Sequence, residues 1–323
     1  MRPTRWLSLL TLATTVTACE PLPRDADPGQ TEVQLPGEDF YPEGLAAASD
    51  GTLYAGSLGT GAIARARPGE LGAHVFVPGR AAFGVYGLAV DEAHGTLWAC
   101  TYDDTLPPAQ PAHLAAYALA TGELLASHPL PGPSGFCNDV TLDAAGNVYA
   151  TDSFANSIVR LALGGKELTT WATDEAFDPV TPGDITLNGI AYDGAGGLHV
   201  VKSDTGTLFS IAIQADGSAG VPVAIPVTPA IESPDGLEWL DAQRLLVVEN
   251  APGRASIVTL SGGTATKAVL ANGFVEPTAA ALTEGGAWVL EGQLGFLFGS
   301  PGVPSLPFRV HRLVVPPAAP LLP

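Results

Sequence analysis

Residues 138–152 read NDVTLDAAGNVYATD. The stretch divides into a polar start, a short β-rich run, a turn made of Asp, Ala and Gly, and a second β-rich run. The same order returns five more times, as EGLAAASDGTLYAGS from Glu43, YGLAVDEAHGTLWACT from Tyr86, NGIAYDGAGGLHVVKS from Asn188, DGLEWLDAQRLLVVEN from Asp235 and PTAAALTEGGAWVLEG from Pro277. The leading residues fall 42 to 52 positions apart, the period of a β-propeller blade. Further β-rich runs fill the gaps, among them AIARA (62–66), HLAAYAL (113–119), SIVRLAL (157–163), TLFSIAI (207–213) and SIVTL (256–260). Each repeat thus supplies four strands, and no run holds apolar residues at helical spacing. The sequence predicts an all-β, six-bladed β-propeller with four-stranded blades. A β-sandwich also has many short strands, but it does not repeat one unit six times.

Closing such a ring needs a strand from one end of the chain to complete the blade begun at the other. TEVQL (31–35) and RVHRLVV (309–315) are the candidates. The propeller is therefore expected over 35–315, with a Pro-rich tail at 316–323. Upstream, Arg2 and Arg5 precede an apolar run from Trp6 to Val16 that ends in Val16-Thr17-Ala18-Cys19. This is the pattern of an export signal over 1–18, too short for a permanent membrane span. Its ending resembles the bacterial lipobox, which implies lipid on Cys19, a linker over 19–34, and a membrane contact made only through that lipid. The protein is expected outside the cytoplasm, as a monomeric lipoprotein.

The chain carries 14 Lys and Arg against 33 Asp and Glu, a net charge of −19. A surface this acidic repels phosphate backbones, so nucleic acid is not expected as a partner. The six histidines lack HExxH spacing, no Ser sits in a G-x-S-x-G elbow, and no Gly-rich phosphate loop leads a helix. Zinc-hydrolase, α/β-hydrolase and nucleotide-binding readings thus have no motif behind them.

The leaders of the repeats carry the chemistry. In a propeller the innermost strands surround a channel, so residues at their first positions converge although they are far apart in sequence. Glu43, Asn138, Asn188 and Asp235 would bring two carboxylates and two amide oxygens to one layer. This is a hard oxygen shell suited to Ca²⁺, with Mg²⁺ or Mn²⁺ as alternatives. Asp and Asn are common in turns, but four at one register are hard to obtain from turn chemistry alone. Around this layer, Tyr86, Phe83, Phe136 and Phe154 are candidates for an aromatic pocket wall or for core. Lys202 is either a charge-balancing group at the channel mouth or a solvated lysine. Asp152 and Asp204 sit at strand ends, as turn residues or as groups behind the ligands. Cys100 and Cys137 either form a disulfide, which export would permit, or remain two buried thiols.

The segments YPEGLA, CNDVTLD, LNGIAYD and SPDGLEW resemble the four metal-bearing segments of the regucalcin/gluconolactonase-like (senescence marker protein-like) propellers. They are more distantly similar to diisopropyl fluorophosphatase and the paraoxonases. The resemblance implies Glu43, Asn138, Asn188 and Asp235 as ligands of a catalytic divalent cation, Asp235 as general base, and a small lactone or ester as substrate. Phosphotriester hydrolysis at the same site, or a non-catalytic binding propeller braced by its metal, are the alternatives. Sugar-lactone members tend to carry an arginine shortly before the first metal Asn. Here the approach is Gly135-Phe136-Cys137, which favours an apolar substrate.

Overall fold

The structure is a computed structural model and describes residues 31–106, 111–133 and 135–318. The predicted signal, residues 19–30 of the expected linker with Cys19, and the last five residues lie outside this range. Six antiparallel sheets of the predicted kind stand around a central axis, one per repeat, in a six-bladed β-propeller. The innermost strands are Pro42–Ala47, Phe83–Asp91, Cys137–Leu142, Leu187–Tyr192, Pro234–Asp241 and Pro277–Thr283.

Glu32–Gln34 pairs antiparallel with Arg309–Leu313, so the strand nearest the N-terminus completes the last blade. This joins strands from the two ends of the described range in one sheet and closes the ring. Blade five carries an addition that the repeat did not announce. Val227–Thr228 lies parallel to Thr264–Asn272 as a fifth, outer strand.

The hairpin between the first two strands of a blade is set by side-chain oxygen. Asp143 accepts from the amides of Ala145 and Asn147, both at 2.9 Å, with Gly146 between them at φ 81°. Asp193 holds the turn of blade four in the same way, and Asp50 holds that of blade one through the Thr52 amide. These are Asx-turns, and they explain why Asp and Gly recur at that place.

Burial between blades supplies the packing. The cluster between blades three and four holds Tyr149, Ile158, Ile190, Leu198, Val200 and Phe209. Its members alternate along their strands, as period-two geometry requires. Among the described residues no helix is long and apolar enough to cross a membrane.

Candidate functional site

Each innermost strand breaks register with its neighbour at the same place. The break falls between Pro42 and Leu45, Val85 and Leu88, Cys137 and Val140, Leu187 and Ile190, Pro234 and Leu237, and Pro277 and Ala280. A bulge re-aims side chains, and here it occurs six times around one axis. The bulged residues are Glu43-Gly44, Tyr86-Gly87, Asn138-Asp139, Asn188-Gly189, Asp235-Gly236 and Thr278-Ala279. This register corrects one reading from sequence. The sixth leader is Thr278, not Pro277, because the bulge and not the start of the repeated string defines the position. Thr278 Oγ1 donates to the Glu43 carbonyl at 2.8 Å and so ties blade six to blade one.

Glycine follows the leader in four blades because the strands nearly touch there. A Cβ on Gly44 would stand 1.9 Å from the Tyr86 carbonyl oxygen, and one on Gly189 would stand 2.3 Å from that of Asp235.

Two cavities meet at the leaders. One, of about 310 Å³, runs along the axis and is lined farther down by Thr141, Ala191 and Glu238. The other, of about 780 Å³, opens outward past Tyr86, Phe136 and Phe154. Glu43, Asn138, Asn188 and Asp235 line both cavities. They form the layer between an outer bowl and an inner channel, which is the convergence that the propeller reading required.

The layer is acidic and has no cation of its own. No Lys, Arg or His lines either cavity among the described residues. Burial, then the neighbouring Asp235 and Asp139, hold the Glu43 carboxyl well above its ordinary range. Burial and Asp139 push Asp235 up to about 8, against hydrogen bonds from Asn188 and Asn250 that lower it. Asp139 itself rises to about 7 through burial, although the amides of Ile190 and Val140 donate to it. Glu238 is pushed to about 8 by burial and by Asp139.

Asp139 and Glu238 escaped sequence reasoning, yet both leave a trace in it. Asp139 stands where four other blades have Gly. Glu238 stands where the other blades have Ala46, Ala89, Thr141, Ala191 and Ala281.

Three polar residues behind the layer also went unnoticed. Each follows its leader by 15 positions. Asn138 Nδ2 donates to Ser153 Oγ at 3.0 Å, Asn188 Nδ2 donates to Ser203 Oγ at 3.1 Å, and Asn250 Nδ2 donates to Asp235 Oδ2 at 3.3 Å. In blades one and two the corresponding residues are Leu58 and Tyr102, so that side of the bowl is apolar.

The remaining candidates sort by geometry. Tyr86 and Phe136 meet edge to face at 4.8 Å, and Phe136 lies 5.0 Å from Phe154, forming one wall of the bowl. Burial, followed by Glu43, raises the Tyr86 phenol, which therefore stays protonated. Phe83 does not join them. It lies under the Arg80 guanidinium at 3.9 Å and lines a separate pocket between blades one and two.

Lys202 is not solvated. It is buried and paired with Asp204 at 2.7 Å. Asp204 also accepts from the Val180 amide and lines the bowl. Asp152 is a turn residue, accepting from the amides of Phe136 and Ala155. Cys100 and Cys137 form a disulfide that joins blade two to blade three one residue before Asn138.

The donor set fits a hard cation in composition, since it offers two carboxylates, two amides and no sulfur or imidazole. Among the described residues no three or more His, Cys, Asp or Glu form a metal-holding group. A cation in this layer would therefore depend on the two amide oxygens as well as on Glu43 and Asp235.

No protein-family model matches the chain, and no curated protein matches it. Solved structures do. Virginiamycin B lyase from Staphylococcus aureus is 14% identical, with 88% of this chain and 98% of that one covered, at a TM-score of 0.59. The PQQ-bound aldose sugar dehydrogenase from Streptomyces coelicolor is also 14% identical, covering 88% and 96%, at 0.60. A luciferin-regenerating enzyme is 12% identical, covering 86% and 92%, at 0.63. At these identities the likeness is one of fold. The class defined here is a six-bladed β-propeller whose structural neighbours include enzymes of differing chemistry, so the reaction has to be argued from the site.

Proposed function

We propose that this propeller is a metal-dependent hydrolase of apolar lactones or related esters, akin to the regucalcin/gluconolactonase-like proteins. The observation that carries the reading is the layer of Glu43, Asn138, Asn188 and Asp235 shared by bowl and channel. Carboxylates held together without a neighbouring cation are unfavourable, and a divalent ion, Ca²⁺ by the all-oxygen donor set, resolves the repulsion. When bound, such an ion supplies Lewis acidity toward a carbonyl or phosphoryl oxygen and acidifies water.

The chain supplies the rest. Asn250 donates to Oδ2 of Asp235 and holds in place the carboxylate that accepts a proton from the attacking water. Tyr86, Phe136 and Phe154 seat the apolar part of the substrate and keep bulk water from that side. With no arginine at Gly135-Phe136-Cys137, a polyhydroxylated sugar lactone finds few partners on this wall.

The test compares calcium-loaded with chelated protein on aryl lactones, sugar lactones, carboxyl esters and phosphotriesters. Asp235→Asn should keep the fold and lose at least a hundredfold in kcat on the aryl lactone. Unchanged turnover in that variant removes Asp235 from the mechanism. Cation binding without turnover on any substrate favours the non-catalytic alternative. The export reading is tested separately, by mass spectrometry of the mature N-terminus for a lipid on Cys19.

A further inference from the structure

The three residues 15 positions after their leaders do more than fill space. Ser153 Oγ donates its only proton to the Leu187 carbonyl at 2.5 Å, and Ser203 Oγ donates to the Pro234 carbonyl at 2.6 Å. Both carbonyls belong to the next blade. A hydroxyl has one proton, so each serine presents only lone pairs to the asparagine leading its own blade. The amide must therefore offer its N–H end. Reversed, its oxygen would face a second oxygen, so the orientation is fixed by proton count. Oδ1 is then the free acceptor end of each amide, while the second N–H of Asn188 lies toward Asp235 in the layer.

Blade five inverts the problem and the solution. Its leader Asp235 has no N–H, and a serine already donating to a carbonyl could not serve it. The residue there is Asn250, whose Nδ2 donates both to Asp235 Oδ2 at 3.3 Å and to the Pro277 carbonyl of blade six at 3.2 Å. The supporting residue changes from acceptor to donor as the leader changes from amide to carboxylate. Bracing between blades alone would not require that match, since either residue type can donate to a carbonyl.

We propose that Ser153, Ser203 and Asn250 are positioning residues that decide which oxygens of Asn138, Asn188 and Asp235 face the axis, and thereby set the affinity of the layer for a hard divalent cation. The proposal rests on the metal-centre reading above. It extends to three blades only. Glu43 has Leu58 at the corresponding place, so its carboxylate is not held in this way.

The experiment is calorimetric titration of Ca²⁺ into the full-length mature protein stripped with chelator, with thermal unfolding of the metal-free form measured alongside. Ser203→Ala should weaken Ca²⁺ binding by about 10–100-fold, the usual effect of losing a partner that orients a ligand. Ser203→Thr, which keeps the hydroxyl, should restore most of the affinity. Ser153→Ala and Asn250→Ala make the same claim in other blades, and carry the test if Ser203→Ala does not fold. Folded alanine variants that bind Ca²⁺ like the wild type, with only their metal-free melting temperatures lowered, reduce these residues to braces and overturn the proposal. Wild-type protein that binds none of Ca²⁺, Mg²⁺ or Mn²⁺ overturns the metal reading and the proposal with it. The wild-type trace thus tells the two failures apart.

Discussion

Glu249 ends the second strand of blade five, beside Pro234 and directly before Asn250. Its side chain is fully enclosed, and every partner donates to it. Lys267 Nζ lies 2.7 Å from Oε1, Arg254 Nε lies 2.8 Å from Oε2, and Ser256 and the Glu232 amide complete the set. Burial by itself would raise this carboxyl. The bonds from Arg254, Lys267 and Ser256 more than reverse that and hold it at about 2, against an ordinary 4.5. Because the folded value is the lower one, the stabilisation is complete above the unfolded value and disappears as pH falls from about 4.5 toward 2. At 1.36 kcal/mol for each pH unit of difference, it amounts to about 3 kcal/mol.

Glu249→Gln should remove that stabilisation at neutral pH and leave Lys267 buried beside a neutral amide, for a loss of about 3–5 kcal/mol. In a domain of this size the lower end corresponds to roughly 5 °C in melting temperature. Thermal unfolding of wild type and variant at pH 7, 5, 4 and 3 is the assay. The gap should be widest at pH 7 and 5 and should narrow at pH 4 and again at pH 3. A gap that stays constant across this range refutes the assignment of the acid dependence to Glu249.

Two further outcomes follow from the ring. Gly44→Ala places a Cβ 1.9 Å from the Tyr86 carbonyl oxygen, where backbone on both sides leaves nothing flexible to yield. It should destabilise by at least the ~1–3 kcal/mol of ordinary overpacking, read by urea unfolding, whereas Gly72→Ala, at a site with open space and no positive φ, should leave stability close to wild type. Replacing both Cys100 and Cys137 by Ser opens a loop closed over 37 residues, which loop entropy values at about 4 kcal/mol. An equal melting temperature for oxidised and variant protein contradicts that contribution.

Much of the architecture was legible because propeller repeats write their period into the sequence. Six starts, six Asp/Gly turns and two complementary end strands were enough. The sixth leader was misplaced because a bulge adds a residue that string alignment does not see, so Pro277 stood in for Thr278. The parallel strand Val227–Thr228 has no counterpart in the other repeats and left no periodic signal. At the site, the four oxygen-bearing leaders were visible because they share one register. Asp139 and Glu238 are visible only as exceptions to small residues at theirs. Ser153, Ser203 and Asn250 show up only when the offset from leader to support is compared blade by blade. Lys202 stayed open between two readings because its partner Asp204 lies two residues along the chain, and sequence alone does not say whether such a pair is buried or exposed.

The central claim is that four leaders from four blades form one cation site. Anomalous diffraction from crystals of the mature protein soaked in Mn²⁺ or Ca²⁺ tests it most directly. The account predicts one strong peak on the propeller axis at the junction of bowl and channel, with oxygens of Glu43, Asn138, Asn188 and Asp235 all about 2.3–2.6 Å away when the ion is calcium. A map without a peak there, or with its only peak outside that layer, contradicts it.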